Sequence, residues 1–278
     1  MIGFRIVNLL PPTFDSFELR TAAGPWEFAP ETTLIEHLPK IQRGASSNTY
    51  AMYNKAATER SDAALDEVGP ILLACSYLRG GAVTSLGTVP WSAITLLAPS
   101  ETWPRDRSVV QRFPLAQDLP AFIASAEQFV AAWKTALPAD QARWRLLIHL
   151  LLDVYSTWSL ESGTMALCAG LEAIAHQERA QPGVAQSLNG GIAAAASRLG
   201  IAPLHRDAVK LRNKLFHEGT IGPAGTRRTK DECAEVITDM YRFVDQYLFA
   251  ELGLGAYSGD RMRTPLFAVT NSFSNPNV

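Results

Sequence analysis

The nine residues Leu211-Arg212-Asn213-Lys214-Leu215-Phe216-His217-Glu218-Gly219 close an amphipathic segment, and their reading decides the fold of the C-terminal half. On a helical wheel with Leu211 at zero and about 100° per residue, Leu204, Ala208, Leu211 and Leu215 fall within about 60° of one another. That is the packing stripe of a helix lying on other helices. Gly219 is a natural left-handed stop. Val209 and Phe216 make a second apolar pair at about 140–160°, away from that stripe. Asn213 and His217 share a third face, whereas Arg212 projects about 140° from His217. A rigid helix therefore does not aim Arg212 and His217 at one point. Two routes would bring them together. In one the helix ends at His217 and frees the imidazole; in the other a second copy faces the first, with the Val209/Phe216 strip as the contact.

Working outward, the chain from Asp118 onward is helical in its periodicity. Segments 120–137 (Pro120 in the first turn, where a missing N–H costs nothing), 139–158, 164–178, 192–199 and 229–252 join the segment opened by Pro203. Ser162-Gly163 reads as a bend, and Gly190-Gly191 as turn glycines before a helix. Short connections predict an antiparallel helical bundle over residues 116–252, with a tail at 253–278. Residues 1–115 hold most of the prolines and read as a small mixed α/β domain. Phe4–Val7 and Phe14–Leu19 are strand-like, punctuated by Pro11-Pro12 and Gly24-Pro25. Residues 48–79 carry Tyr50, Tyr53, Ala57, Ala64, Leu65, Val68, Leu72 and Tyr77 at roughly helical spacing, with Gly69-Pro70 as an interruption. Residues 82–86 and 94–97 again read as extended. The fold class is α+β.

An apolar fraction of 47% and a charged fraction of 19% are those of a globular protein. The net charge of −2 provides no whole-chain field to draw it onto nucleic acid. The local balance differs. From Arg198 to Lys230 stand eight cations (Arg198, Arg206, Lys210, Arg212, Lys214, Arg227, Arg228, Lys230) and two acids, Asp207 and Glu218. Cys75, Cys168 and Cys233 are odd in number and set among apolar residues, as in a reducing compartment. No signal peptide and no membrane span is read, so the expected location is the cytoplasm, with no membrane partner.

The chemistry concentrates at Arg212, Asn213 and His217. Arginine forks onto phosphate oxygens and stabilises charge on a phosphorane. An imidazole gives or takes a proton near neutral pH. Asn213 would orient the imidazole or hold a substrate oxygen. Arg206, Lys210 and Lys214 are the candidate substrate-binding cations beside them. Spacing by itself carries nothing, because Arg143 precedes His149 and Arg198 precedes His205 at comparable intervals. What distinguishes the stretch is the amide directly after arginine, the aromatic before histidine and Glu-Gly after it.

That string, Leu-Arg-Asn-x-x-x-His-x-Gly, resembles the signature of the HEPN superfamily, in particular its Apea-like bacterial branch. The resemblance covers roughly residues 117–252. It implies a HEPN-like helical bundle that dimerises and cleaves RNA without metal, the ribose 2′-OH attacking to leave a 2′,3′-cyclic phosphate. It implies catalytic roles for Arg212, Asn213 and His217, and a toxin–antitoxin or phage-defence setting. Gly170-Leu171-Glu172-Ala173-Ile174 is similar to an upstream family segment, which makes Glu172 a supporting residue that steadies Arg212 or His217. Many members of the superfamily are non-catalytic dimerising or nucleotide-sensing modules, so a sensing module that binds a partner protein or nucleotide stays open as the alternative. No cofactor is expected, and the N-terminal domain would serve a protein partner.

Other readings stay open beside these. Arg212 and Glu172 would make a structural ion pair, and His217 would cap the last carbonyls of its helix. His149 lies in an apolar run and reads as a core residue. His37, His176 and His205 lack partners at ligand spacing, so no metal site is expected. Gly-x-Ser-x-Gly does not occur, which argues against an α/β-hydrolase.

Overall fold

Burial that alternates residue by residue builds the N-terminal half around a sheet. The computed structural model describes residues 1–42, 47–57, 62–85, 115, 116, 118–156, 160–219, 221 and 230–255. These divide into two compact units, one reaching Ser156 and taking in residues 252–255, the other running from Leu160 to Glu251. The architecture is α+β, with eight helices and one five-stranded antiparallel sheet among the described residues.

In the first unit the strands are β1 (Ile2–Val7), β2 (Phe17–Thr21), β3 (Gly24–Pro30), β4 (Asn48–Asn54) and β5 (Thr84–Ser85), in the spatial order β2-β3-β4-β1-β5. Helices α1 (Leu34–Gln42), α2 (Asp62–Arg79), α3 (Leu119–Thr135) and α4 (Pro138–Ser156) accompany them. Phe17 stacks on Phe28 at 4.5 Å and meets Phe122 of α3 edge-on at 5.9 Å, which fastens α3 to the sheet. Glu127 of α3 accepts the outward N–H of Arg20 at 2.7 Å and so covers the edge of β2. Asp118 caps α3 through the Ala121 N–H at 2.8 Å, with Pro120 in the first turn as expected.

Several expectations need correction here. Residues 48–54 form the strand β4 and are not helical. Thr49, Tyr50, Met52 and Asn54 are buried there, and the strand pairs with both β1 and β3. Gly24-Pro25 begin β3 rather than punctuate, with Gly24 at φ +105° closing a two-residue hairpin loop. Gly69-Pro70 do not end α2, because every residue from Glu67 to Arg79 is buried and packing overrides the missing N–H. Helix α3 packs on β2 and α2, and α4 on α2, so the first unit extends well past residue 115. The extended segment expected at residues 94–97 lies outside the described residues.

The second unit consists of α5 (Leu160–Arg179), α6 (Leu188–Leu199), α7 (Ala208–Glu218) and α8 (Lys230–Glu251). Helix α5 packs on the other three, and α8 also packs on α6 and α7. Ser162-Gly163 lie in the first turn of α5 and do not form a bend. Gly190 and Gly191 are inside α6. A Cβ on Gly191 would stand 2.6 Å from the Ala175 carbonyl oxygen, and one on Gly190 would stand 2.6 Å from Ala185. Close contact with α5 requires Gly191, whereas Gly190 is crowded by the loop that leads into its own helix. Helix α7 starts at Ala208, not at Pro203. The preceding loop is tied down instead, Asp239 Oδ2 accepting the His205 N–H at 2.6 Å and His205 Nδ1 accepting the Asp207 N–H at 3.2 Å. No helix among the described residues is long and apolar enough to cross a membrane.

Candidate functional site

Leu211 and Leu215 are buried, which seats α7 and turns Arg212, Asn213, Phe216 and His217 outward to different degrees. The helix stays regular through Glu218 and stops at Gly219, whose φ is +68° and whose N–H donates to the Leu215 carbonyl at 3.0 Å. His217 therefore sits in an intact last turn, and the route that frees its imidazole by ending the helix there is not taken.

Arg212 meets Glu172 of α5, its Nη2 donating to Oε1 at 2.9 Å. Its Nη1 donates to Asn213 Oδ1 at 3.0 Å, and the guanidinium lies over the Phe216 ring at 5.1 Å. Nε is buried without a hydrogen-bond partner. The Arg212 and Glu172 side chains are 30% and 36% exposed, so the pair stands at a partly wet surface where a ligand would reach it. The second Glu172 oxygen lies 3.6 Å from Arg179 Nη2. Cys168, one turn before Glu172, is buried, and that burial pushes its thiol up to about 12 despite the Arg212 charge nearby. It is a packed thiol rather than a nucleophile.

The structure thus brings Arg212, Asn213 and Glu172 together and leaves His217 apart. His217 is exposed and has no hydrogen-bond or ion-pair partner among the described residues. Lys210 pairs with Asp207 at 3.2 Å, and Lys214 lies 4.0 Å from Glu218. Arg206 is exposed and carries no ion pair among the described residues. Arg198 is claimed by structure: it donates from both Nε and Nη2 to Glu178, which is 1% exposed, and also pairs with Glu251 of α8. Those two acids hold its guanidinium still more firmly protonated. Arg227 and Arg228 lie outside the described residues. Of the described cations in this stretch, Arg198, Lys210, Arg212 and Lys214 each lie beside an acid.

Two contacts were missed at the level of sequence. Glu172 and Arg179 are seven apart, a two-turn spacing that places them on one face of α5. Phe216 follows Arg212 by four, the spacing of a stacked pair on one helix. His149, on α4 in the first unit, is pushed down to about 4 by burial, with Arg145 adding to the effect, and its Nε2 has no partner. It is half-buried with an unpartnered ring nitrogen rather than the core residue expected. No group of three or more metal-ligating residues occurs among the described residues. No known protein-family model, no curated protein and no solved structure matches this chain.

Proposed function

We propose that the second unit is a HEPN-type helical bundle acting in the cytoplasm as a metal-independent endoribonuclease. The observation that supports this most is the half-exposed cluster of Arg212, Asn213 and Glu172, with an unpaired, exposed His217 on the same helix. Arg212 would grip the scissile phosphate and offset the charge that builds on it. His217 would take the proton from the ribose 2′-OH as that oxygen attacks phosphorus, or return one to the departing 5′-oxygen. The P–O5′ bond breaks, leaving a 2′,3′-cyclic phosphate and a 5′-hydroxyl. Arg206, Lys210 and Lys214 would meet neighbouring phosphates.

Because α7 keeps Arg212 and His217 on different faces, a complete site in this reading takes residues from two copies of the chain. The strip of half-buried Val209 and exposed Phe216 supplies their contact. A toxin or phage-defence role follows from the sequence resemblance alone, and the first unit would serve a protein partner.

The test is incubation of purified protein with mixed RNAs in EDTA. Cleavage leaving cyclic phosphate ends, and lost in His217→Ala, is the expected result. Intact RNA at protein excess overturns it. The second reading is a non-catalytic dimerising or sensing module that binds a protein or nucleotide. It is favoured by the occupation of the Arg212 donors by Glu172 and Asn213, and it expects an intact dimer without cleavage.

A further inference from the structure

Glu172 sits between two arginines. One carboxylate oxygen takes the Arg212 Nη2 donor at 2.9 Å, and the other lies 3.6 Å from Arg179 Nη2. Asn213 occupies Nη1 of Arg212, and Phe216 covers one face of its guanidinium. Glu172 and Asn213 thus each engage one terminal nitrogen of Arg212, and Nε is buried, so a phosphate that takes the Nη2 donor meets Glu172 there first. A carboxylate and a phosphodiester each carry one negative charge and present two oxygens to a guanidinium fork, so they compete for the same donors. Arg179 is loosely held, its Nη1 reaching only the Gln186 carbonyl at 3.5 Å. It is placed to take the whole Glu172 carboxylate after a small rotation. Each anion would then have its own arginine, and no charge would be left unpaired.

We propose that Glu172 is a built-in competitor for phosphate at Arg212, and that Arg179 receives its carboxylate when a phosphodiester takes its place. This rests on the assignment of Arg212 as the phosphate-binding residue. It reverses the sign expected of Glu172. An acid that only steadies the arginine weakens ligand binding when it is neutralised, whereas a competitor strengthens it.

The experiment measures fluorescence anisotropy of a labelled 2′-O-methyl oligoribonucleotide, which lacks the attacking hydroxyl and stays whole. Glu172→Gln binds it about threefold to fivefold more tightly than wild type, the range set by a partly exposed ion pair. Glu172→Asp, whose shorter side chain draws the charge back from Arg212, falls between the two. Arg179→Met weakens binding when Glu172 is present and changes it less than about twofold in the Glu172→Gln background. Arg212→Met removes the gain. If Glu172→Gln and Glu172→Asp bind no tighter while Arg212→Met still loses affinity, the competitor is refuted and the phosphate assignment stands. If Arg212→Met binds as well as wild type, the assignment itself falls.

Discussion

Gly191→Ala asks whether α6 is pressed against α5 as closely as the structure requires. The added Cβ would meet Ala175 at its carbonyl oxygen (2.6 Å), Cα (2.7 Å) and Cβ (2.8 Å), so backbone stands in the way rather than the end of a flexible side chain. Ordinary contact distances then need the two helices to part by about 1 Å. Overpacking of this kind costs about 1–3 kcal/mol, and rigid backbone places the cost near the upper end. Alanine returns about 1 kcal/mol of helix propensity over glycine, leaving a net loss of about 2 kcal/mol. For a chain in this size range that lowers Tm by roughly 4–8 °C. Calorimetry of wild type, Gly191→Ala and Ser197→Ala is the assay. Ser197 is exposed on the same helix, and its replacement leaves Tm level or slightly raised. A Gly191→Ala protein that melts with or above the Ser197→Ala control would refute the close contact. Ala175 is one turn from Glu172, so the same variant also disturbs the carboxylate that Arg212 and Arg179 share.

Glu67, 5% exposed on α2, accepts the Ala23 N–H at 3.0 Å and Trp26 Nε1 at 3.2 Å, as well as the Thr21 hydroxyl. Glu67→Ala strands those donors under the β2–β3 hairpin and costs about 3 kcal/mol, read as a lower urea midpoint; an unmoved midpoint contradicts this. His149 is held near 4 by burial and Arg145, whereas the unfolded chain protonates it at about 6.5. Its contribution is therefore full above pH 6.5 and is lost between 6.5 and 4. The ceiling is about 3 kcal/mol, and partial exposure brings it to about 2. His149→Leu flattens that part of the pH dependence in urea titrations at pH 7.5 and 5, and parallel curves for the two proteins would dismiss it. Phe216, 53% exposed, is the proposed contact between copies, so Phe216→Asp lowers the mass seen by light scattering while the fold persists. A mass that does not move rules out that face.

The α+β class and most helices of the second half are legible because their apolar spacing is local. Asp118 with Pro120, and Gly219 after α7, mark ends by side-chain and backbone chemistry that needs no tertiary partner. Strand β4 is not legible this way. Tyr50, Tyr53 and Ala57 happen to fall at helical intervals, while the pairing with β1 and β3 that makes the segment a strand is non-local. Gly191 misleads for the same reason, since a glycine required by another helix looks in sequence like one required by a turn. Nor does periodicity say whose core a helix joins: α3 is drawn to the sheet by Phe122 and Glu127, one an apolar position and the other a surface charge when read in sequence. At the site, Glu172 was indicated by the resemblance of its segment, and the wheel separated Arg212 from His217. Arg179 was missed because its importance comes from sharing an acid, not from its own neighbours.

Charge counted along a sequence differs from charge available to a ligand, and here the difference decides where a ligand would bind. Lys210 and Lys214 each have an acid within one turn, and Arg198 has two. An incoming phosphate must replace a protein carboxylate at each of them, so the gain is the difference between two similar attractions. That exchange is prohibitive at Arg198, because Glu178 would be left buried with its charge uncompensated. At Arg212 the displaced acid is 36% exposed and already beside a second guanidinium. Arg212 thus differs from Arg198 in that its acid has a second arginine beside it, and that follows from Arg179 and Glu172 rather than from the number of basic residues around it.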